Sequence, residues 1–233
     1  SSAASDVYKR QDFMSRNNIP TASSKTFTKD TFLDACDFLK KSTAPYVLKA
    51  DGPAAGKGVV ILENVEDAIT ELKSMLIDSK FGESSKKVVI EEFLKGIEMS
   101  CFVIFDGKNY ITLPYAKDYK RIGEGDIGLN TGGMGSISPV SFIDERLDHK
   151  IHQKVIKPTI NGIIKEKINY RGFIFIGLIN VDNEPYVIEY NVRMGDPETQ
   201  VVLPRIKNDL AELLLAAAEK RLSQIEIEID NRS

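Results

Sequence analysis

Apolar residues along the chain follow two rhythms. Phe32, Leu33, Cys36 and Leu39 recur at helical spacing behind Asp30, so the pattern predicts a helix over 30–41 with Asp30 as its N-cap. Ala68, Leu72, Met75 and Leu76 make the stripe of a second helix, capped by Asn64 and reaching about Ile77. The other rhythm is that of strands. It predicts them over 46–50, 59–62, 87–93 and 97–105, with Asp106-Gly107 turning the last into a further strand over 110–114. A second strand pair, 170–181 and 185–191, is joined by a turn at Asp182-Asn183. Helices are predicted over 144–167, kinked or restarted at Pro158, and over 198–203 and 208–222. Strands that come in hairpins with helices interspersed predict an α+β chain of two lobes rather than a doubly wound parallel sheet.

Three stretches break these rhythms. Residues 1–11 are polar without periodicity and read as a leader, which leaves a short helix over 12–17 closed by Ile19-Pro20. Residues 51–58 form a Gly/Pro/Ala-rich loop between two strands. Residues 117–138 hold six glycines and few apolar side chains, so they read as a loop of a length that usually carries function.

Composition narrows the function classes. In 233 residues, 42% hydrophobic and 28% charged, there is material for a core that buries roughly 70–75% of the unfolded surface. A net charge of −3 gives no general attraction to nucleic acid or an anionic membrane, so any phosphate site has to be local. Apolar runs such as 173–181 are too short for a membrane span, and no signal peptide opens the chain. Cys36 and Cys101 have no metal or redox spacing, which fits a reduced, cytoplasmic protein better than a disulfide framework. His149 and His152 share a helix face without a third ligand nearby in sequence and are not read as a metal site.

Four constellations could carry chemistry. In Lys49-Ala-Asp-Gly-Pro-Ala-Ala-Gly56-Lys57-Gly58, small residues let backbone N–H groups approach an anion while Lys49 and Lys57 supply charge. The spacing is not that of a Walker A loop, and alone the segment reads equally well as a glycine-rich hairpin turn. In 187–193, strand alternation puts Glu189, Asn191 and Arg193 on one face, with Ile188, Tyr190 and Val192 toward a core. A carboxylate and an amide oxygen side by side are hard ligands suited to Mg²⁺ on nucleotide phosphates, and the Arg193 fork suits a phosphate or carboxylate; a solvated strand edge is the alternative. Gly195-Asp196-Pro197-Glu198-Thr199-Gln200 adds polar groups just beyond, which favours a site.

Glu91 and Glu98 lie in apolar β-runs, where they need partners. A nucleotide could supply them, its adenine amino group for Glu91 and its ribose for Glu98; an acidic edge strand facing water accounts for them as well. Last, Lys117-Asp118-Tyr119-Lys120-Arg121, continuing to Asn130-Thr131-Gly132-Gly133-Met134-Gly135, combines basic side chains with glycine amides as an anion receptor or, alternatively, a solvated turn.

In this order, from about Asp12 to Leu222, these motifs resemble the ATP-grasp ligases, and within them glycinamide ribonucleotide synthetase (phosphoribosylamine–glycine ligase). The resemblance rests on the lysine–glycine segment, Ile90-Glu-Glu-Phe93, Asp118-Tyr-Lys-Arg121, Asn130-Thr-Gly-Gly-Met-Gly135 and Glu189 to Gln200. It implies two antiparallel sheets clamping ATP, in a small mobile lobe over 19–92 and a larger lobe over 93–222 on which the helix 12–17 packs. It also implies ATP-dependent joining of glycine to 5-phosphoribosylamine through glycyl phosphate, in purine synthesis. Lys49, Gly56, Lys57, Gly58, Glu91, Phe93, Leu94 and Glu98 would then bind ATP. Glu189 and Asn191 would hold Mg²⁺ or Mn²⁺, and Arg193, Lys120 and Arg121 would act in catalysis. Asp118, Asn130, Thr131, Gly132, Gly133, Asp196 and Glu198 would bind substrate. The chain departs from the pattern where Val7 and Gln11 stand at lysine positions, Tyr119 at a histidine and Leu129 at a proline. The implied flanking domains would lie outside the chain. The alternatives are an ATP-binding piece without turnover and another ATP-grasp carboxylate–amine ligase. No oligomeric state follows from the sequence.

Overall fold

The computed structural model describes residues 7–52, 58–125 and 127–232, which fold as two units. The first unit takes the chain up to Arg16 together with Thr21–Lys95; the second takes Asn17–Pro20 and the chain from Gly96 onward.

The first unit holds helices α1 (Val7–Arg16), α2 (Phe32–Lys41) and α3 (Val65–Leu76) and strands β1 (Ser24–Thr28), β2 (Tyr46–Ala50), β3 (Val59–Leu62) and β4 (Lys87–Glu92). The strands pair antiparallel in the order β1-β4-β2-β3. Period-two alternation sends Tyr46, Leu48, Val88 and Ile90 to one face, where they pack with Leu39, Leu72 and Met75 from α2 and α3. Asn64 caps α3 by accepting the Asp67 N–H at 3.0 Å. Lys49 and Glu91 therefore emerge on the other face.

Three expectations change here. The helix predicted over 12–17 begins at Val7, inside the stretch read as a leader, and it groups with the first unit instead of the larger one. The division between units falls after Lys95 instead of after Glu92. Leu33, read as part of the α2 stripe, is 77% exposed, because the buried face is Ala35, Cys36 and Leu39.

The second unit is built on strands β5 (Ile97–Phe105), β6 (Tyr110–Thr112), β9 (Gly172–Val181) and β10 (Glu184–Asn191), antiparallel in the order β10-β9-β5-β6. Phe102 and Phe175 face each other across β5 and β9 with ring centroids 5.2 Å apart. They form the core of one sheet face with α6 (Thr199–Val202) and α7 (Leu210–Ala218). Tyr190 lies on the opposite face, its hydroxyl 2.7 Å from Thr159 Oγ1 on α5 (Lys157–Lys165). Between α4 (Glu145–Ile151) and α5 the helix runs as a π turn over His152–Ile156. Proline lacks the N–H that closes a regular turn, so the wider turn just before Pro158 is the form taken by the predicted interruption.

Residues 117–138 are not a loop. They form a two-stranded antiparallel ribbon, β7 (Lys117–Gly123) and β8 (Ile127–Ile137), with register shifts between Tyr119 and Arg121 and between Arg121 and Gly123. Glycine suggested irregular chain, yet Gly128 (φ +88°) and Gly133 (φ +143°) supply left-handed geometry inside a bulged ribbon.

Candidate functional site

The upper end of one sheet face in the second unit carries polar side chains. A bulge at Ile188 shifts the register of β10, after which Glu189 pairs with Gly177 and Asn191 with Phe175. Both lie beyond the bulge, two residues apart, so their side chains share a face. The Asn191 amide donates to Glu189 Oε1 at 3.2 Å. In the same row Ser100 stands opposite Gly177 on β5. A Cβ on Gly177 would sit 2.9 Å from Glu189 Cγ, so the missing side chain is what lets Glu189 lie across β9. The pair offers two hard oxygen donors and one negative charge on an open face. That set fits a divalent cation that takes its other ligands from phosphates and water.

Arg193 does not continue this row. The strand ends at Asn191, Val192 is 54% exposed instead of facing a core, and the Arg193 guanidinium donates to the Met194 carbonyl at 2.8 Å. Glu198 is buried: its Oε1 accepts from the Ser100 hydroxyl at 3.0 Å, and Oε2 occupies the space a Cβ on Gly195 would take. Asp196 is exposed and accepts from the Gln200 amide at 2.8 Å.

The ribbon adds a second charged group. Lys120 Nζ lies 3.1 Å from Glu98 Oε2 and 3.3 Å from Asp118 Oδ2. Burial draws the Lys120 ammonium downward, but the two carboxylates outweigh it and hold its pKa above the ordinary lysine value. The Thr131 hydroxyl donates to the Lys120 carbonyl at 2.7 Å and accepts the Gly133 N–H at 3.1 Å. A Cβ on Gly133 would meet Pro197 Cδ at 2.8 Å, so this glycine permits close contact between the ribbon and the Asp196-Pro197 turn. Arg121 donates to the Gly128 carbonyl at 3.2 Å, bracing the ribbon. Asn130 and Gly132 lie on β8.

In the first unit, Lys49 Nζ lies 2.5 Å from Glu91 Oε2, with the carboxylate almost fully buried. Glu91 Oε1 accepts from the Gln11 amide on α1 at 2.7 Å. Gly58 closes the base of the lysine–glycine segment through its carbonyl, which accepts the Ala50 N–H at 2.8 Å. Gly56 and Lys57 lie outside the described residues. Phe93 is exposed and Leu94 half-buried between β4 and β5.

Residues 4–199 match the family described as phosphoribosylglycinamide synthetase, ATP-grasp (A) domain. The chain belongs to that family. It is 45% identical over 224 residues to the phosphoribosylamine–glycine ligase of Vibrio vulnificus strain YJ016, covering 96% of this chain and 52% of that protein. It is 46% identical over 220 residues to the bifunctional purine biosynthetic protein PUR2,5 of Pichia angusta, covering 94% of this chain and 28% of that protein. Among solved structures, phosphoribosylamine–glycine ligase from Thermotoga maritima superimposes with a TM-score of 0.84 at 37% identity, covering 94% of this chain and 55% of that one. The biotin carboxylase domain of Hydrogenobacter thermophilus 2-oxoglutarate carboxylase, at 18% identity and a TM-score of 0.72, shares the fold. The chain thus spans about half the length of most of these relatives.

The ATP-grasp family match begins at residue 4, inside the segment read as a leader, and so corrects that reading. Sequence reasoning also missed Ser100 and Gly177. Each left a signal: Ser100 lies two positions after Glu98 in a period-two strand, and Gly177 is a lone glycine within an apolar run.

Proposed function

We propose that this chain is the nucleotide- and metal-binding portion of an enzyme that joins glycine to 5-phosphoribosylamine at the expense of ATP, in the cytoplasm. In this reading the glycine carboxylate attacks the γ-phosphorus of ATP, forming glycyl phosphate and releasing ADP. The amine of phosphoribosylamine then attacks the acyl carbon, phosphate leaves, and the nitrogen loses a proton as the amide forms. Lys49, Lys57 and the glycine segment offset phosphate charge. Glu189 and Asn191 would hold Mg²⁺ or Mn²⁺, which when bound would supply neutralisation of the phosphate charge. Arg193, Lys120 and Arg121 offset charge on the acyl phosphate; for Lys120 this requires release from Glu98 and Asp118. Such a site works by positioning and electrostatics without a covalent enzyme intermediate.

The observation that carries the proposal is the Glu189–Asn191 pair, two hard oxygen donors on one face with Gly177 leaving them room. Glu198 enters as a support for the turn instead of a substrate ligand, because Ser100 and the Gly195 backbone enclose it. Among the described residues no helix is long and apolar enough to cross a membrane, and both cysteines are free and buried.

The test is isotope transfer. With Mg-ATP, phosphoribosylamine and glycine labelled with ¹⁸O in its carboxylate, the released phosphate is expected to carry the label. Unlabelled phosphate would reduce the reaction to hydrolysis by water, and failure to bind Mg-ATP would remove the proposal altogether.

Gly177→Ala pushes the Glu189 stem away from β9, and misplacement by about 1 Å at a reacting centre can cost on the order of 100-fold. Mg-ATP affinity, measured by titration calorimetry, is expected to fall between ~10- and ~100-fold. Wild-type affinity in a folded Gly177→Ala protein would show that this glycine does not set the position of Glu189.

A further inference from the structure

We infer that Gln11 is a positioning residue for the nucleotide site, acting through Glu91 on the ammonium of Lys49. The inference rests on the proposed role of Lys49 as a phosphate ligand. Glu91 is 7% exposed, and its two carboxylate oxygens have different partners. Oε2 meets Lys49 Nζ at 2.5 Å, while Oε1 accepts from Gln11 Nε2 at 2.7 Å. Gln11 lies on α1, 80 positions before Glu91 in sequence. Lys49 and Glu91 lie on neighbouring strands, β2 and β4, on the sheet face away from α2 and α3.

Each partner has a distinct consequence. Lysine is a flexible point charge with three donors, so an ammonium serves as a prepared phosphate ligand only if something fixes it. The Glu91 carboxylate does so, provided it cannot turn. Lys49 alone holds one oxygen and leaves rotation about the carboxylate's own bond open. Gln11 fastens the other oxygen and thereby sets the direction from which Lys49 is gripped. A neutral amide does this without adding charge, so Lys49 and Glu91 still balance. With both oxygens taken, Glu91 serves as an anchor for Lys49 instead of a side-chain reader of the adenine amino group.

The test uses two substitutions. Gln11→Met keeps length and bulk but removes the donor; Gln11→Lys restores a donor of similar reach. Brief acylation by an amine-reactive reagent, resolved by peptide mapping, reports how firmly Lys49 is held, with the exposed-helix Lys73 as internal reference. Titration calorimetry reports Mg-ATP affinity on the same proteins. Gln11→Met is expected to speed Lys49 labelling several-fold and to weaken Mg-ATP about tenfold, the effect of losing one charge-assisted hydrogen bond. Gln11→Lys is expected to restore slow Lys49 labelling; because it adds a charge beside Glu91, the affinity comparison is between wild type and Gln11→Met. Unchanged Lys49 labelling in Gln11→Met would overturn the inference. Faster labelling with unchanged Mg-ATP affinity would also overturn it, leaving Gln11 a structural contact only. If the wild-type chain binds no Mg-ATP, the proposed function fails, and the labelling comparison still decides whether Gln11 holds Lys49.

Discussion

Glu189→Ala is expected to lower metal-dependent ATP affinity by about 100-fold or more while leaving the fold intact. The magnitude follows from the charge lost: changes to residues that merely orient metal ligands cost roughly 10–100-fold, and removing a negatively charged ligand should cost at least as much. Asn191 would remain, but a neutral amide oxygen cannot replace the charge that offsets a divalent cation among phosphates. The fold should tolerate the change because Glu189 is exposed and, among the described residues, its side chain is held by the Asn191 amide at 3.2 Å. Exposed substitutions of this kind usually shift stability by no more than about 0.5 kcal/mol. Glu189→Gln should fall between, since it keeps one oxygen and loses the charge. The measurement is ATP affinity as a function of Mg²⁺ concentration, alongside thermal unfolding. A Glu189→Ala protein with wild-type Mg²⁺ dependence would remove Glu189 from the metal site.

How far the sequence revealed the architecture depended on whether local pattern or distant partners decided each element. α2, α3, β2, β4, β5 and β9 were legible because their apolar residues repeat at helical or strand period. β1 was not: Ser-Lys-Thr-Phe-Thr has one apolar residue, and the strand exists because it pairs with β4 more than fifty positions later. The β7–β8 ribbon was hidden for a related reason. Its side chains are largely exposed, so burial imposes no alternation, and its glycines imitate a loop. Only the second half of α1 was anticipated, as a helix over 12–17, because its apolar stripe is weak and its anchor, Glu91, is remote in sequence.

The same distinction runs through the site. Glu189 and Asn191 were readable together because a two-residue separation survives any register shift that lies before both. The bulge at Ile188 therefore left the pair intact, whereas extending the alternation to Arg193 failed where the strand stops. Spacing could not reveal that Glu198 would be enclosed by Ser100, nor that Lys120 would be held by Glu98. Both contacts join elements distant in the chain, and a polar residue read one position at a time looks the same whether it meets a ligand or a neighbour.

Asp106→Asn is expected to give the largest loss of stability, about 2–3 kcal/mol at pH 7, because it puts a donor where the fold requires an acceptor. Asp106 is fully buried at the hairpin between β5 and β6. Its Oδ1 accepts the Lys108 N–H at 2.8 Å and the Asn109 N–H at 2.6 Å. Its Oδ2 accepts the Leu222 N–H at 3.2 Å and the Asn109 amide at 3.3 Å, tying the turn to the segment after α7. An asparagine can reproduce the bonds at Oδ1, but its NH₂ group then faces two donors at Oδ2.

The charge sets the pH dependence. Burial alone would raise the Asp106 pKa, yet the N–H donors outweigh it and hold the value below that of a free carboxylate. A group with a lowered folded-state pKa contributes stability above its unfolded pKa, about 3.9 for aspartate, and loses it as pH falls through the folded value. The gap between wild type and Asp106→Asn should accordingly be widest near neutrality and close in acid below the folded pKa. Urea unfolding of both proteins across pH 2–7 measures it. A gap that stays constant across that range would mean that the ionised carboxylate contributes nothing beyond its shape.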